Sequence, residues 1–229
     1  MVLIIFWLPF FTKKGDKRHR FIGKFFTNGM YAMAVSGVVM SSLVLFDPLA
    51  VRYPNGGFDP DLLENIKLQN RISAGFLFTL SVLVFNNVRQ AVLVLKAKAQ
   101  RELLKTPAHL AGIGFLSLLG VTLGVLAVYY QALLFGLFAA LCLANSAGMF
   151  RYVFKQEILE REWIIVHLTN ICAAGIAAYT AFFVFGGRQL LAGIFTGNLQ
   201  VITWIMPAII GTIAISILSK KYKKQFRVQ

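Results

Sequence analysis

The sequence predicts an all-α polytopic membrane protein, a transmembrane helix bundle with six full spans and a partial N-terminal helix. Two observations carry this prediction. Of the 229 residues, 58% are hydrophobic and only 14% are charged, whereas a soluble domain carries about 25% charged residues. The apolar residues also gather into runs close to the roughly 20 residues that a helix needs to cross a bilayer. The pattern excludes a soluble enzyme, a secreted disulfide scaffold and a disordered chain.

The six predicted spans belong to a single transmembrane domain that covers residues 1–229. They are Phe25–Phe46, Ile72–Leu95, Ala108–Tyr130, Ala132–Phe150, Trp163–Phe185 and Leu199–Ser219. Ahead of them, Val2–Phe11 is apolar but reaches only about 15 Å as a helix, which is too short to cross a bilayer. We expect this segment to be either part of a seventh helix or a segment that leans into the interface.

Lysine and arginine residues predict how the spans are oriented. With these spans, 19 of the 23 basic residues fall on one side, and four fall on the other. Because positive residues are retained in the cytoplasm, the partition predicts an inner (plasma) membrane protein with a cytoplasmic C-terminus. The basic clusters at Lys13–Lys24 and Lys220–Arg227 also suit anionic lipid headgroups. No nucleic-acid partner is expected.

The connection from Asp47 to Arg71 is the longest and lies on the outer side. Within it, Asp59-Pro60-Asp61 resembles a helix N-cap, a proline at the first helical position and an acid in the first turn. The leucine and isoleucine residues that follow give a partly apolar face. We therefore predict a short amphipathic helix over Asp59–Asn70, outside the bilayer and resting on the outer ends of the spans.

The three histidines are the sharpest candidates for a functional site. His19 precedes the first span, His109 opens the third and His167 lies about one turn into the fifth. Given the predicted orientation, all three lie in the cytoplasmic third of the membrane. They predict a copper or zinc ion held by all three, or a single haem b with His109 and His167 as axial ligands. The imidazoles, together with the amides and the guanidinium at that depth, could also bind an anionic group. The alternative is that each is interfacial or hydrogen-bonds a neighbouring helix.

Other polar groups approach the same leaflet as the histidines. His167 and Asn170 are three residues apart and share a helix face, and Asn87 and Arg89 reach that depth from the second span. We expect these amides and this guanidinium to support the histidines by hydrogen bonding. The predicted spans contain no Asp or Glu and the chain contains no motif of soluble catalysis, so whether the protein is an enzyme is left open.

Several short motifs, in their order along the chain, resemble a known family. They are Lys14-Gly15 with His19-Arg20-x-x-Gly23, Thr106-Pro107-Ala108-His109, Trp163-x-x-x-His167 with Tyr179-Thr180-Ala181-Phe182, and Trp204-x-x-Pro207-x-x-x-Gly211. Together they resemble the bacterial multi-pass membrane proteins grouped as domain of unknown function 2306, over nearly the whole chain. The resemblance implies a multi-pass topology. It points to His19, His109 and His167 without assigning them chemistry, because the family has no established activity.

Three functions follow from these patterns and stay open. The first is a binding or accessory membrane protein, as a subunit of a larger complex or a homo-oligomer, which the lack of catalytic motifs and of carboxylates within the spans favours. The second is a membrane redox or metal protein with a single cytoplasmic-side site. The third is a small-molecule transporter, which the lack of a charged residue at mid-membrane disfavours.

Overall fold

The fold is a bundle of helices, and a computed structural model describes it for residues 1–56, 60–186 and 200–228. The chain begins with α1 (Val2–Trp7), which continues into a 3₁₀ turn at Leu8–Phe11. The helices that follow are α2 (Lys17–Phe46), α3 (Pro48–Arg52), α4 (Pro60–Ala97), α5 (Pro107–Tyr129), α6 (Leu133–Phe154), α7 (Glu162–Ala181) and α8 (Gln200–Phe226). A 3₁₀ turn at Arg101–Leu104 precedes α5, and a π-helical turn at Phe182–Gly186 extends α7.

Six helices of the described residues are long and apolar enough to cross a membrane, namely α2, α4, α5, α6, α7 and α8. Each corresponds to one of the six predicted spans, so the all-α polytopic bundle is confirmed. The predicted first residue of the last span, Leu199, lies outside the described residues.

Helix α4 is the centre of the bundle. It packs against α2, α5 and α7, while α6 packs mainly against α5 and α8 packs mainly against α7. Small residues allow the closest approaches, as expected for helices in lipid. Gly37 of α2 lies against Ser81 of α4, and Gly211 of α8 lies against Ile176 of α7.

The helix that the sequence predicted over Asp59–Asn70 belongs to a longer helix than the sequence indicated. Residues 60–70 are helical, but they form the first turns of α4, which runs without interruption to Ala97. At 1.5 Å per residue, its 38 residues extend about 57 Å, well beyond a hydrocarbon core about 30 Å thick. No glycine or proline separates Asp61 from Arg71, and the Lys67–Glu64 ion pair supports this stretch, so the helix propagates into the span. Asp59, the predicted cap, lies outside the described residues.

Basic residues extend several helices past their predicted ends. Helix α2 begins at Lys17, after Asp16 accepts a hydrogen bond from the Lys17 amide at 2.7 Å, and α8 continues past Ser219 to Phe226. The connections at this side touch one another, because Arg101 donates to the Gln156 carbonyl at 2.9 Å. We call this side of the bundle, which carries the 19 basic residues, the basic end.

The N-terminal segment packs along the bundle and does not lean away from it. Phe6 lies over Gly175 of α7 and packs edge-on against Trp7. The Tyr179 hydroxyl donates to the Leu3 carbonyl at 3.0 Å and accepts from the indole of Trp7 at 2.5 Å. These contacts favour the expectation that Val2–Phe11 is part of a seventh helix of the bundle.

A candidate polar cleft between three helices

A cleft of about 370 Å³ lies between α4, α6 and α7, close to the basic end. Its floor is Asn87 and Gln90 of α4, which are three residues apart and share a helix face. One wall, from α6, consists of Ala144, Asn145, Gly148, Met149 and Tyr152. The other wall, from α7 and the turn before it, consists of Leu159, Glu162, Ile165, Val166, Thr169 and Asn170, with Lys223 of α8 at the rim.

Three buried polar atoms around this cleft have no hydrogen-bond partner among the described residues. They are Asn87 Oδ1, Gln90 Nε2 and the Tyr152 hydroxyl, and their residues are 2%, 0% and 6% exposed. The Asn87 amide nitrogen is satisfied, because it donates to the Leu83 carbonyl at 3.0 Å. The residues that line the cleft thus carry an unpaired acceptor, an unpaired donor and a hydroxyl that can serve as either.

His109 determines which end of the Gln90 side chain is left unpaired. Its Nε2 lies 2.7 Å from Gln90 Oε1. The amide oxygen only accepts, so Nε2 donates this bond and the imidazole is in the Nε2–H tautomer. Both residues are fully buried. His109 therefore positions Gln90, and Nε2 of Gln90 is the end that has no protein partner.

The charged residues of the cleft leave it with a positive balance. Both carboxylate oxygens of Glu162 bind the Lys155 ammonium, at 2.9 and 2.8 Å, and one of them also accepts from the Leu159 amide at 2.9 Å. The charge of Glu162 is therefore compensated within the protein. Lys223 is exposed, and among the described residues no carboxylate lies within ion-pair distance of it.

The histidines predicted to share a metal ion engage separate partners. Nδ1 of His167 donates to the Ala91 carbonyl of α4 at 2.9 Å. Nδ1 of His19 lies 3.1 Å from the Thr12 hydroxyl and 3.3 Å from the Pro9 carbonyl. Across residues 1–56, 60–186 and 200–228, no three His, Cys, Asp or Glu side chains are grouped so that they hold a metal ion. The predicted three-histidine ligand set is thus not assembled here.

His109 and His167 both bind α4, at the consecutive residues Gln90 and Ala91. Each histidine forms a hydrogen bond from one ring nitrogen to a residue of α4. This agrees with the alternative interpretation of the sequence, in which each histidine hydrogen-bonds a neighbouring helix. Neither imidazole lines the polar cleft. A haem b between these two residues stays a prediction that nothing in the structure tests.

The three residues expected to support the histidines have different surroundings. Asn87 and Asn170 line the polar cleft, and the Asn170 amide donates to the Val166 carbonyl at 2.8 Å. Arg89 does not line the cleft; it lies within electrostatic range of Tyr31 and His109, and its Nε is buried without a partner among the described residues.

Sequence reasoning missed three residues of the cleft. Gln90 follows Asn87 by three positions, and a buried amide within a span was a signal comparable to the asparagines. In the sequence, Tyr152 is indistinguishable from an interfacial tyrosine, and Lys223 is one member of a basic cluster that suits both topology and anionic lipid headgroups. No signal in the sequence shows that α6 and α7 stand next to the same face of α4, because that depends on tertiary packing.

No family model, curated protein or solved structure matches this chain. Membership of the family that its motifs resemble therefore stays a prediction. The fold itself defines the class: this is an integral membrane protein of the multi-pass helical type. Its distinguishing feature is the polar cleft set against the central helix.

Proposed function

We propose that this integral membrane protein is a binding protein and that the polar cleft is its binding site. The observation that carries the proposal is that three residues lining one cavity each carry a buried, unpaired polar atom. Each buried polar atom that stays unpaired costs about 1–3 kcal/mol, and lipid offers it no substitute partner. A ligand with matching donors and acceptors would recover that free energy on binding.

The chemistry of the cleft favours binding over the redox and metal alternatives. Its amides recognise their partners by hydrogen bonding, whereas the predicted haem and metal sites use imidazole ligands, and neither His109 nor His167 lines the cleft. Roles as an accessory subunit of a complex, as a homo-oligomer or as a transporter stay predictions. Because positive residues are retained in the cytoplasm, the proposal has the basic end, the C-terminus and the cleft on the cytoplasmic side of the inner membrane.

The proposal is tested by blocking the cleft. Gly148 lines it, and nothing lies within 4 Å of a Cβ built there, so Gly148→Leu places a side chain in the cleft without a backbone clash. Gly114→Leu is the matched control, because Gly114 is also helical with open space around it but lies on α5 and does not line the cleft.

Native mass spectrometry of the purified protein gives the readout. We expect the wild-type protein and Gly114→Leu to carry a bound small molecule at the same occupancy, and Gly148→Leu to lose it. Identical bound masses and occupancies in all three proteins, or no bound molecule in any of them, would contradict the proposal. Equal melting temperatures of the two variants ensure that a loss reports on the cleft and not on folding.

A further inference from the structure

We infer that the cleft takes the headgroup of an anionic phospholipid that carries a hydroxyl group, entering sideways from the membrane with its acyl chains along α6. This inference rests on the proposed function and names the ligand class. Three features of the site support it: its polar atoms, its charge and the apolar surface that leads into it.

The unpaired atoms match a phosphoryl group beside a hydroxyl. Gln90 Nε2 and the Tyr152 hydroxyl are donors for phosphoryl oxygens, whereas Asn87 Oδ1 accepts only and so needs a donor from the ligand. A phosphate ester bearing a free hydroxyl, as in phosphatidylglycerol, offers both kinds of group. A headgroup without a donor would leave Asn87 Oδ1 unpaired.

The charge balance of the cleft selects an anion. Lys155 compensates Glu162 through both carboxylate oxygens, so the cation that remains on the cleft is Lys223 at the rim. A lysine near the membrane surface attracts an anionic headgroup by about 1 kcal/mol. A zwitterionic headgroup would bring a second cation towards Lys223.

An exposed apolar stripe leads from the cleft along α6. Leu137, Leu141, Ala144 and Gly148 are spaced by four, three and four residues, and all of them are exposed, so they lie on one face of the helix. The last two also line the cleft. Because this face of α6 is exposed and reaches the cleft, it gives a path for acyl chains from the bilayer to the cleft.

The test compares lipids that share acyl chains but differ in the headgroup. Phosphatidylglycerol and phosphatidylcholine are titrated separately into the purified full-length protein, and binding is measured by native mass spectrometry. Lys223→Gln removes the rim cation. Lys224→Gln is the matched control, since Lys224 is the exposed neighbour on the same helix and does not line the cleft.

We expect wild-type protein to bind one phosphatidylglycerol at least about fivefold more tightly than phosphatidylcholine. We expect Lys223→Gln to lose about fivefold in that affinity, and Lys224→Gln to keep it. Equal binding of the two lipids, or equal losses in the two lysine variants, would overturn the inference. Glycerol 3-phosphate is titrated as a water-soluble comparison ligand that lacks acyl chains. If it binds as tightly as phosphatidylglycerol, the site takes a free phosphate ester and the lipid inference is wrong.

The two proposals fail in different ways. If Gly148→Leu displaces a bound molecule that is not an anionic lipid, the binding function stands and the ligand class falls. If Gly148→Leu displaces nothing, the binding function falls, and any preference for phosphatidylglycerol belongs to the surface of the bundle.

Discussion

His109 and Gln90 form a fully buried hydrogen-bonded pair between α5 and α4. Because Gln90 Oε1 is committed to His109, Gln90 presents its amide nitrogen to the cleft. His109 thereby acts through Gln90 and does not contact the cleft itself. A histidine that the sequence offered as a metal ligand is, in the structure, a hydrogen-bond partner of Gln90.

The first prediction concerns this pair. His109→Leu leaves Gln90 Oε1 buried and unpaired, which should destabilise the protein by about 1–3 kcal/mol. The double variant His109→Leu/Gln90→Leu removes both partners, and such a replacement is close to neutral. Thermal melting in detergent should therefore place the double variant above the single one. A double variant that melts at or below the single variant would show that the hydrogen bond is not what His109 contributes.

Among helices, the N-terminal segment depends on a glycine of α7. The Phe6 ring occupies the space that a side chain at Gly175 would need, with Phe6 Cζ 2.8 Å from the position of a Cβ. The second prediction is that Gly175→Val displaces α1 from α7, which should accelerate hydrogen exchange of the amides in residues 2–11.

Gly114→Val is the control for this displacement, because a Cβ at Gly114 has open space. It should leave the exchange of residues 2–11 as in the wild-type protein. Unchanged exchange in Gly175→Val would mean that α1 does not depend on close contact with α7.

The third prediction concerns the continuity of α4. Spin labels attached at Leu62→Cys and Leu95→Cys, both at exposed positions, are separated by 33 residues of one helix. A rise of 1.5 Å per residue gives a distance of about 50 Å. The native cysteines, Cys142 and Cys172, are buried and so do not compete for the label. Pulsed electron spin resonance distances below about 40 Å would instead indicate that residues 60–70 bend away from the span.

At the scale of the molecule, the distribution of charge predicts the orientation. The basic end carries 19 of the 23 lysine and arginine residues, so the fourth prediction is that Lys224→Cys is shielded from a membrane-impermeant thiol reagent in intact cells. Arg52→Cys, exposed in α3 at the opposite end, should react. The reverse labelling pattern would place the C-terminus outside and the cleft in the outer leaflet.

The overall bundle was predictable, because the six spans depend on local hydrophobicity that each segment carries by itself. Helix ends were less predictable. Lysine ends an apolar run in the sequence but is also compatible with a helix, so α2 begins earlier, at Lys17, and α8 continues past Ser219. The cleft could be predicted only in part. Asn87 and Asn170 stood out as polar groups at depth, but Tyr152 joined them through the packing of α6 beside α4.

The central claim is that the polar cleft binds a ligand, and an experimental structure of the protein in lipid nanodiscs containing phosphatidylglycerol tests it most directly. The measurement is the density between α4, α6 and α7. We predict non-protein density within hydrogen-bonding distance of Asn87 Oδ1, Gln90 Nε2 and the Tyr152 hydroxyl, which is about 2.7–3.2 Å. Side chains of Asn87, Gln90 and Tyr152 that bond to one another across a closed cleft would contradict the account.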